Sequence, residues 1–255
     1  MSVFNVELKK VVDDSYEIEI GYELANKLID DLENGLVGNI RKFAVITDSN
    51  VKDLYGLAYL VKEGITFAGK TVSMGADVTV NEGTVEQWNA NEFANLTPWI
   101  PIGDETTEFA GTFDGANHKI SGIYINLSEQ GTGVFRSTVA GSTIQNLKLE
   151  ESYIKSTSKY VGSIVGICGG NITNVSSDAT IIGRDWYVGG LVGGVTSNNV
   201  TIDSSCFLGQ LNSSSHYVGG ILGGVDANGA TINVSNATYD VNSLDIKNKT
   251  INFIA

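Results

Sequence analysis

The chain is short of bases, histidine, cysteine and proline, and each shortage closes off a class of answer. Of 255 residues only 16 are Lys or Arg, against 29 Asp or Glu, for a formal charge of -13. Phosphate backbones and anionic membranes are therefore poor partners, and neither nucleic acid nor membrane insertion is expected. Charged residues make up only 18% of the chain, so the solubilising surface has to come largely from Ser, Thr and Asn. The two histidines, His118 and His216, have no second His or Cys at ligand spacing, which argues against a zinc site. The two cysteines, Cys168 and Cys206, fall in different repeats; two free core thiols are the simpler expectation, with a cross-rung pairing the alternative. No run of 18 apolar residues occurs, so no membrane span is expected. The opening MSVFNVELKK has no apolar h-region, so no secretion signal is read in it. Thirty glycines without a Gly-x-x period exclude collagen, and 42% hydrophobic residues suffice for a core.

What is present is repetition. One phrase occurs three times, YVGSIVG from Tyr160, YVGGLVG from Tyr187 and YVGGILG from Tyr217. Isoleucines follow in each unit at 144, 172, 202 and 232, and each unit closes on another alternating strand. A unit of 27–30 residues cannot bury its own apolar side chains, but stacked units can. The fold class expected is therefore mainly β, a right-handed parallel β-helix or β-solenoid with rungs of about 27–30 residues, preceded by a small α/β segment. Val188 and its equivalents are expected to point inward. Gly162, Gly189, Gly190, Gly219 and Gly220 then read as corners that a Cβ would block. They do not read as phosphate cradles, because none follows a strand and opens a helix. Tyr160, Tyr187 and Tyr217 fall in register on one face, as an aromatic ladder in the outer wall or as a strip for sugar rings or a partner protein. Threonine does not recur at a fixed position of the aligned units, which ranks ice below protein or glycan as a ligand.

The flanking segments read differently. VFNVELKK and SYEIEI alternate about a turn at Asp13–Ser15 and predict a hairpin. Leu24, Leu28, Leu32 and Leu36 predict a helix over Glu23–Leu36, and KFAVIT a buried strand. Short helices are expected over Val51–Tyr55 and Leu57–Lys62. The division expected is residues 1–56 and 57–255, with Asn81–Pro98 as an excursion from the first rungs. Asp114 and His118 look like a catalytic pair, but FDGANHKI is a turn between strands, for which Asp114, Gly115 and Asn117 supply the bonds and the positive φ. Asp178, Asp203 and Asp226 are the widely spaced acids a β-helix carbohydrate-active enzyme would need, and they do not share one phase of the repeat. Asn171, Asn199, Asn233, Asn236 and Asn248 open Asn-x-Ser/Thr triplets, which arise by composition in such a chain.

Two resemblances follow from these phrases. EGITFAGKTVSMGADVTV, then WIPIG, then FAGTFDGANHKISGIYI resemble the GLUG-repeat domains of bacterial surface and adhesin-like proteins, over about residues 57–245. The resemblance implies a non-catalytic cell-surface or adhesion-type module that binds protein or carbohydrate, with no cofactor and an extracellular location. YEIEIG and AVITDSNVKDLYG, within about residues 5–56, resemble the first segment of 3-dehydroquinate synthase. That second likeness places Asp48 and Asn50 on positions that touch the adenosine part of NAD in that family. The family's pyrophosphate loop and its zinc-binding Glu and His residues do not follow, so a remnant or fusion is implied rather than an active synthase.

Overall fold

The computed structural model describes residues 2–6, 16–20, 42–44, 51–197, 199–240 and 244–246. They fall in two compact units, residues 1–39 and 40–255. The described part of the first is an antiparallel hairpin of Ser2–Val6 against Tyr16–Ile20, with Phe4 opposite Ile18. The helix expected over Glu23–Leu36, and Asp48 and Asn50, lie outside the described residues.

In the second unit the chain winds as a parallel β-solenoid, and each coil crosses three walls. The long wall begins at Lys42–Ala44 and continues through Thr71–Ser73, Thr112–Asp114, Thr143–Glu150, Asn171–Ser177, Val200–Asp203 and Ile232–Ser235. The second wall stacks Tyr124–Leu127, Tyr153–Ser156, Thr180–Gly183, Gln210–Ser213 and Leu244–Ile246. The third stacks Phe135–Thr138, Val165–Cys168, Val192–Val195 and Leu222–Val225. Alternation drives this arrangement: in Thr112–Asp114 and its partners the middle residue faces the core and its neighbours face out. The middle residues Val72, Phe113, Ile144, Ile172 and Ile202 are all buried and stand in one line. Each contributes about 1.5–3 kcal/mol by burial.

The coils are unequal in length, and this corrects two expectations. Ile202 lies opposite Val234, and Ile232 lies opposite Val200. The last isoleucine is thus two residues off the line that equal spacing predicts. Threonine does recur: Thr71, Thr112, Thr143, Asn171, Thr201 and Asn233 occupy one outward row of the long wall. Variable turns between coils hide that row from any fixed-period alignment. The cysteines also differ from each other. Cys168 is fully buried in the third wall, while Cys206 is half-exposed on the outside of the long wall, and both are free thiols.

A single helix over Lys52–Lys62 replaces the two short ones expected, and it buries Leu54, Leu57, Ala58, Leu60 and Val61. Its Tyr55 hydroxyl donates to the Pro98 carbonyl at 2.9 Å, and its ring meets Trp99 at 5.3 Å. The excursion after Val80 carries a short helix, Val85–Ala90, opened by a capping box of Thr84 and Gln87. Asn81 closes its stem, donating to the Thr97 carbonyl at 2.9 Å and accepting from the Thr97 N–H at 2.7 Å. Beyond the helix Phe93 packs on Tyr124 and Tyr153 of the second wall.

Candidate functional site

Two features of the outer surface run along the solenoid. The first is the tyrosine corner between the second and third walls. Val161, Val188 and Val218 point inward and are buried, and Val161 bridges in parallel to Thr132 and Val188. A Cβ on Gly162, Gly189 or Gly219 would overlap the carbonyl oxygen three residues on, that of Val165, Val192 or Leu222. One on Gly190 would overlap the Gly220 carbonyl and the Phe207 ring, and one on Gly220 the ring of Tyr239. In the first of the three phrases Ser163 takes the place of Gly190, and its hydroxyl donates to the Gly190 carbonyl at 2.6 Å.

With the coil turned this tightly, the tyrosines stack. Tyr160 and Tyr187 are 5.0 Å apart at 3°, and Tyr187 and Tyr217 are 4.9 Å apart at 16°. These spacings match the strand separation of about 4.8 Å. The first two rings lean over a glycine of the following coil, Tyr160 over Gly194 and Tyr187 over Gly224. The Tyr160 hydroxyl reaches the Asp226 carboxylate. Burial, and then that carboxylate, hold the Tyr160 phenol well above its ordinary range. Tyr160 and Tyr187 are buried, at 8% exposure each, whereas Tyr217 is 42% exposed. Trp186, 43% exposed, meets Tyr217 edge-on at 5.7 Å and 70°, and Lys159 Nζ lies 4.8 Å from the centre of the Trp186 ring. The three tyrosines are therefore mostly wall, and the accessible aromatic surface is a ledge of Trp186 and Tyr217. Trp186 directly precedes a repeat phrase, and its proximity to the next tyrosine follows only from stacking.

The second feature is a break in the long wall. Asn117, Asn146, Asn174, Ser204 and Asn236 hold φ between 49° and 65° in five successive coils. Asn174 Nδ2 donates to Asn146 Oδ1 at 2.8 Å, and Asn146 Nδ2 to Asp114 Oδ1 at 3.0 Å. In a later coil Asn236 Nδ2 donates to Asp203 Oδ1 at 3.0 Å. Beside this ladder lies a cleft of about 90 Å³, lined by Asn117, Asn146, Asn174, Lys148, Ser176, Ser204 and Cys206 among others. Sequence reading missed the ladder as such. Its trace is a polar doublet that interrupts the alternation in each unit, Gln145-Asn146, Thr173-Asn174, Asp203-Ser204 and Ser235-Asn236.

The acids are dispersed. Asp114 accepts from the Ala116 N–H and from Gln145 and Asn146, while His118 pairs with Asp77 at 3.1 Å, so the two do not act together. Burial raises the Asp114 pKa, but the bonds from Asn146, Ala116 and Gln145 outweigh it and leave the carboxyl below its ordinary value. A Cβ on Gly115 would overlap the Asn146 carbonyl. Asp203 is also held low, by Ser235, Ser204 and Asn236. Asp178 sits where the long wall turns into the second, raised by burial and by Glu151 and Glu150, although the Glu151 N–H opposes this. Asp203 lies on the long wall and Asp226 beyond the end of the third. Among the described residues no group of three His, Cys, Asp or Glu is placed to hold a metal, and no helix is long and apolar enough to cross a membrane.

No family model matches the chain. Halomucin of Haloquadratum walsbyi is 36% identical over 124 residues, which is 48% of this chain and 1% of that protein. Among solved structures, a candidate immunoglobulin A1 protease from Bacteroides ovatus superposes with a TM-score of 0.49 at 15% identity, over 83% of this chain and 77% of that one. The chain, a β-solenoid by its own strand pairing, has a partial resemblance to Halomucin, of which it spans about one hundredth.

Proposed function

We propose that the chain is a non-catalytic, cell-surface or adhesion-type module that binds protein or glycan through the outside of its solenoid. The observation that carries this reading is the ledge of Trp186 and Tyr217, exposed at the end of an otherwise buried aromatic stack, with Lys159 over the Trp186 ring. Aromatic faces of this kind offer large contact area at low entropic cost and stack on the apolar faces of sugars. The dispersed acids support binding without turnover, because among the described residues Asp178, whose carboxyl is raised, lies where the long wall turns, off the wall strands that carry the lowered Asp114 and Asp203. The mucin in Halomucin's name and the GLUG-type order of phrases both support an extracellular setting. The test is a glycan array and a cell-binding assay with the full chain, beside Trp186→Ala and Tyr217→Ala. Binding that falls at least tenfold in the variants supports the ledge; full binding by both variants removes it.

A further inference from the structure

The ledge is not the only surface with something to offer. On the long wall most outward polar side chains are already engaged. Asp114 is taken by Gln145 and Asn146, Asp203 by Ser235 and Asn236, and Asn174 by Asn146. The threonine row is different. Thr112, Thr143 and Thr201 are half-exposed, and their hydroxyls make no hydrogen bond to any described residue. They stand in line with the half-exposed Thr71. Along the same wall run the carboxylates Asp114 and Asp203, and beyond them the cleft of about 90 Å³ with its asparagine ladder. The backbone of the wall repeats along the solenoid axis in steps of about 4.8 Å. Asn171 stands between Thr143 and Thr201 in the row, and Asp114 and Asp203 are three coils apart with Gln145 and Thr173 between them.

We infer that this wall, from the threonine row across to the asparagine cleft, is a binding track for an extended neutral polysaccharide lying along the solenoid axis. A repeating, uncharged, hydroxyl-rich polymer matches each component. Its hydroxyls exchange bonds with the threonine hydroxyls and donate to the lone pair left on Asp114 Oδ2 and on Asp203 Oδ2, each of which accepts one bond within the wall, while threonine methyls meet its C–H faces. An anionic polymer is disfavoured by those two carboxylates and by the net charge of -13. Ice, the other ligand that suits a flat threonine row, is disfavoured because charged groups in the array impose their own hydration. Beside the cleft, Asp114 and Asp203 are held as carboxylates by their neighbours, so neither is an available general acid and both serve as acceptors. The track rests on the proposed surface-binding role but lies on a different wall from the ledge.

The test titrates the full chain with soluble neutral hexasaccharides of β-glucan, xylan and chitin by calorimetry, and follows alkylation of Cys206 in the cleft. Binding of at least one probe, with slower Cys206 alkylation when it is bound, is expected. The double variant Thr112→Val with Thr143→Val keeps the strand shape and removes two free hydroxyls. It is expected to lose at least tenfold in affinity with an unchanged Tm. Asn146→Gly keeps the backbone conformation and is expected to weaken binding as well. Three results overturn the track: no probe binds, affinity is undiminished in both variants, or the wild-type chain shows thermal hysteresis in ice that the valine variant lacks. Loss of cell binding in Trp186→Ala and Tyr217→Ala, with both track variants intact, leaves the surface role standing and removes the track alone.

Discussion

The tyrosine ladder and the asparagine ladder solve one backbone problem in opposite ways. Both occupy the left-handed region, Tyr160 and Tyr187 at φ 62° and 64°, Asn117, Asn146 and Asn174 at 52° to 65°. Asparagine visits that region readily, because its short amide bonds locally. A bulky aromatic does so at a cost of about 1–2 kcal/mol. At the tyrosine corner the cost is offset by stacking, about 0.5–1.5 kcal/mol per aromatic pair beyond the area buried. The asparagine side needs no such offset, and its polar side chains stay at the surface beside a cleft. One ladder is stability built from a strained backbone; the other is a relaxed backbone that leaves its chemistry exposed.

The largest effect that can break this comparison is at Gly190. A valine there must displace the Phe207 ring or the Gly220 backbone, so Gly190→Val is expected to cost more than about 4 kcal/mol in urea unfolding. An unchanged midpoint would remove the tight corner on which the tyrosine stack depends. Next comes Tyr187, stacked on both sides. Tyr187→Ala is expected to cost about 3–5 kcal/mol, and Tyr187→Gly about 1 kcal/mol less, because glycine releases the left-handed strain. Equal losses would show that no strain is stored there. On the other ladder, Asn146→Ala is expected to cost about 1–2 kcal/mol through its positive φ. Asn146→Gly should cost less, as judged by thermal unfolding.

The smallest effects are opposite pH limbs. The folded Asp203 carboxyl lies below its ordinary 3.8 because Ser235, Ser204 and Asn236 donate to it. Its stabilising contribution is present above that ordinary value and is lost as pH falls through the lower folded one. The folded Tyr160 phenol lies above its ordinary 10.0, through burial and Asp226. Its contribution is intact below pH 10 and is lost as pH rises towards the higher folded value. Unfolding midpoints measured across pH should therefore show Asp203→Asn flattening only the acid limb and Tyr160→Phe only the alkaline one. Either variant changing both limbs would mean the two ladders are coupled through the core.

Much of this was legible beforehand because a solenoid repeats its constraints. The YVGG phrase announced a coil that turns on glycine, and the structure gives the reason, a carbonyl three residues away that a Cβ would strike. The recurring isoleucines announced part of the inward line, Ile144, Ile172 and Ile202, and the structure adds Phe113 to it. Other features were hidden. The threonine row spans coils of unequal length, so no single period finds Thr71, Thr112, Thr143 and Thr201 together. Cys206 reads as core by composition, yet it falls on an outward position beside Ser176. Burial split the tyrosines, since only Tyr217 lies far enough along the stack to keep its ring open beside Trp186.

The sequence by itself determined that the chain coils, that Val188 and its equivalents face inward, and that glycine recurs at the corners, because these depend on local period and on the space a Cβ requires. Only the tertiary structure decided which outward residues become neighbours. Neighbours on a solenoid wall are one coil apart, and coil length is set by turns and by the Asn81–Thr97 excursion rather than by any fixed count. The threonine row, the asparagine ladder and the Trp186–Tyr217 ledge all come from that stacking register, which is where the candidate binding surfaces of this protein lie.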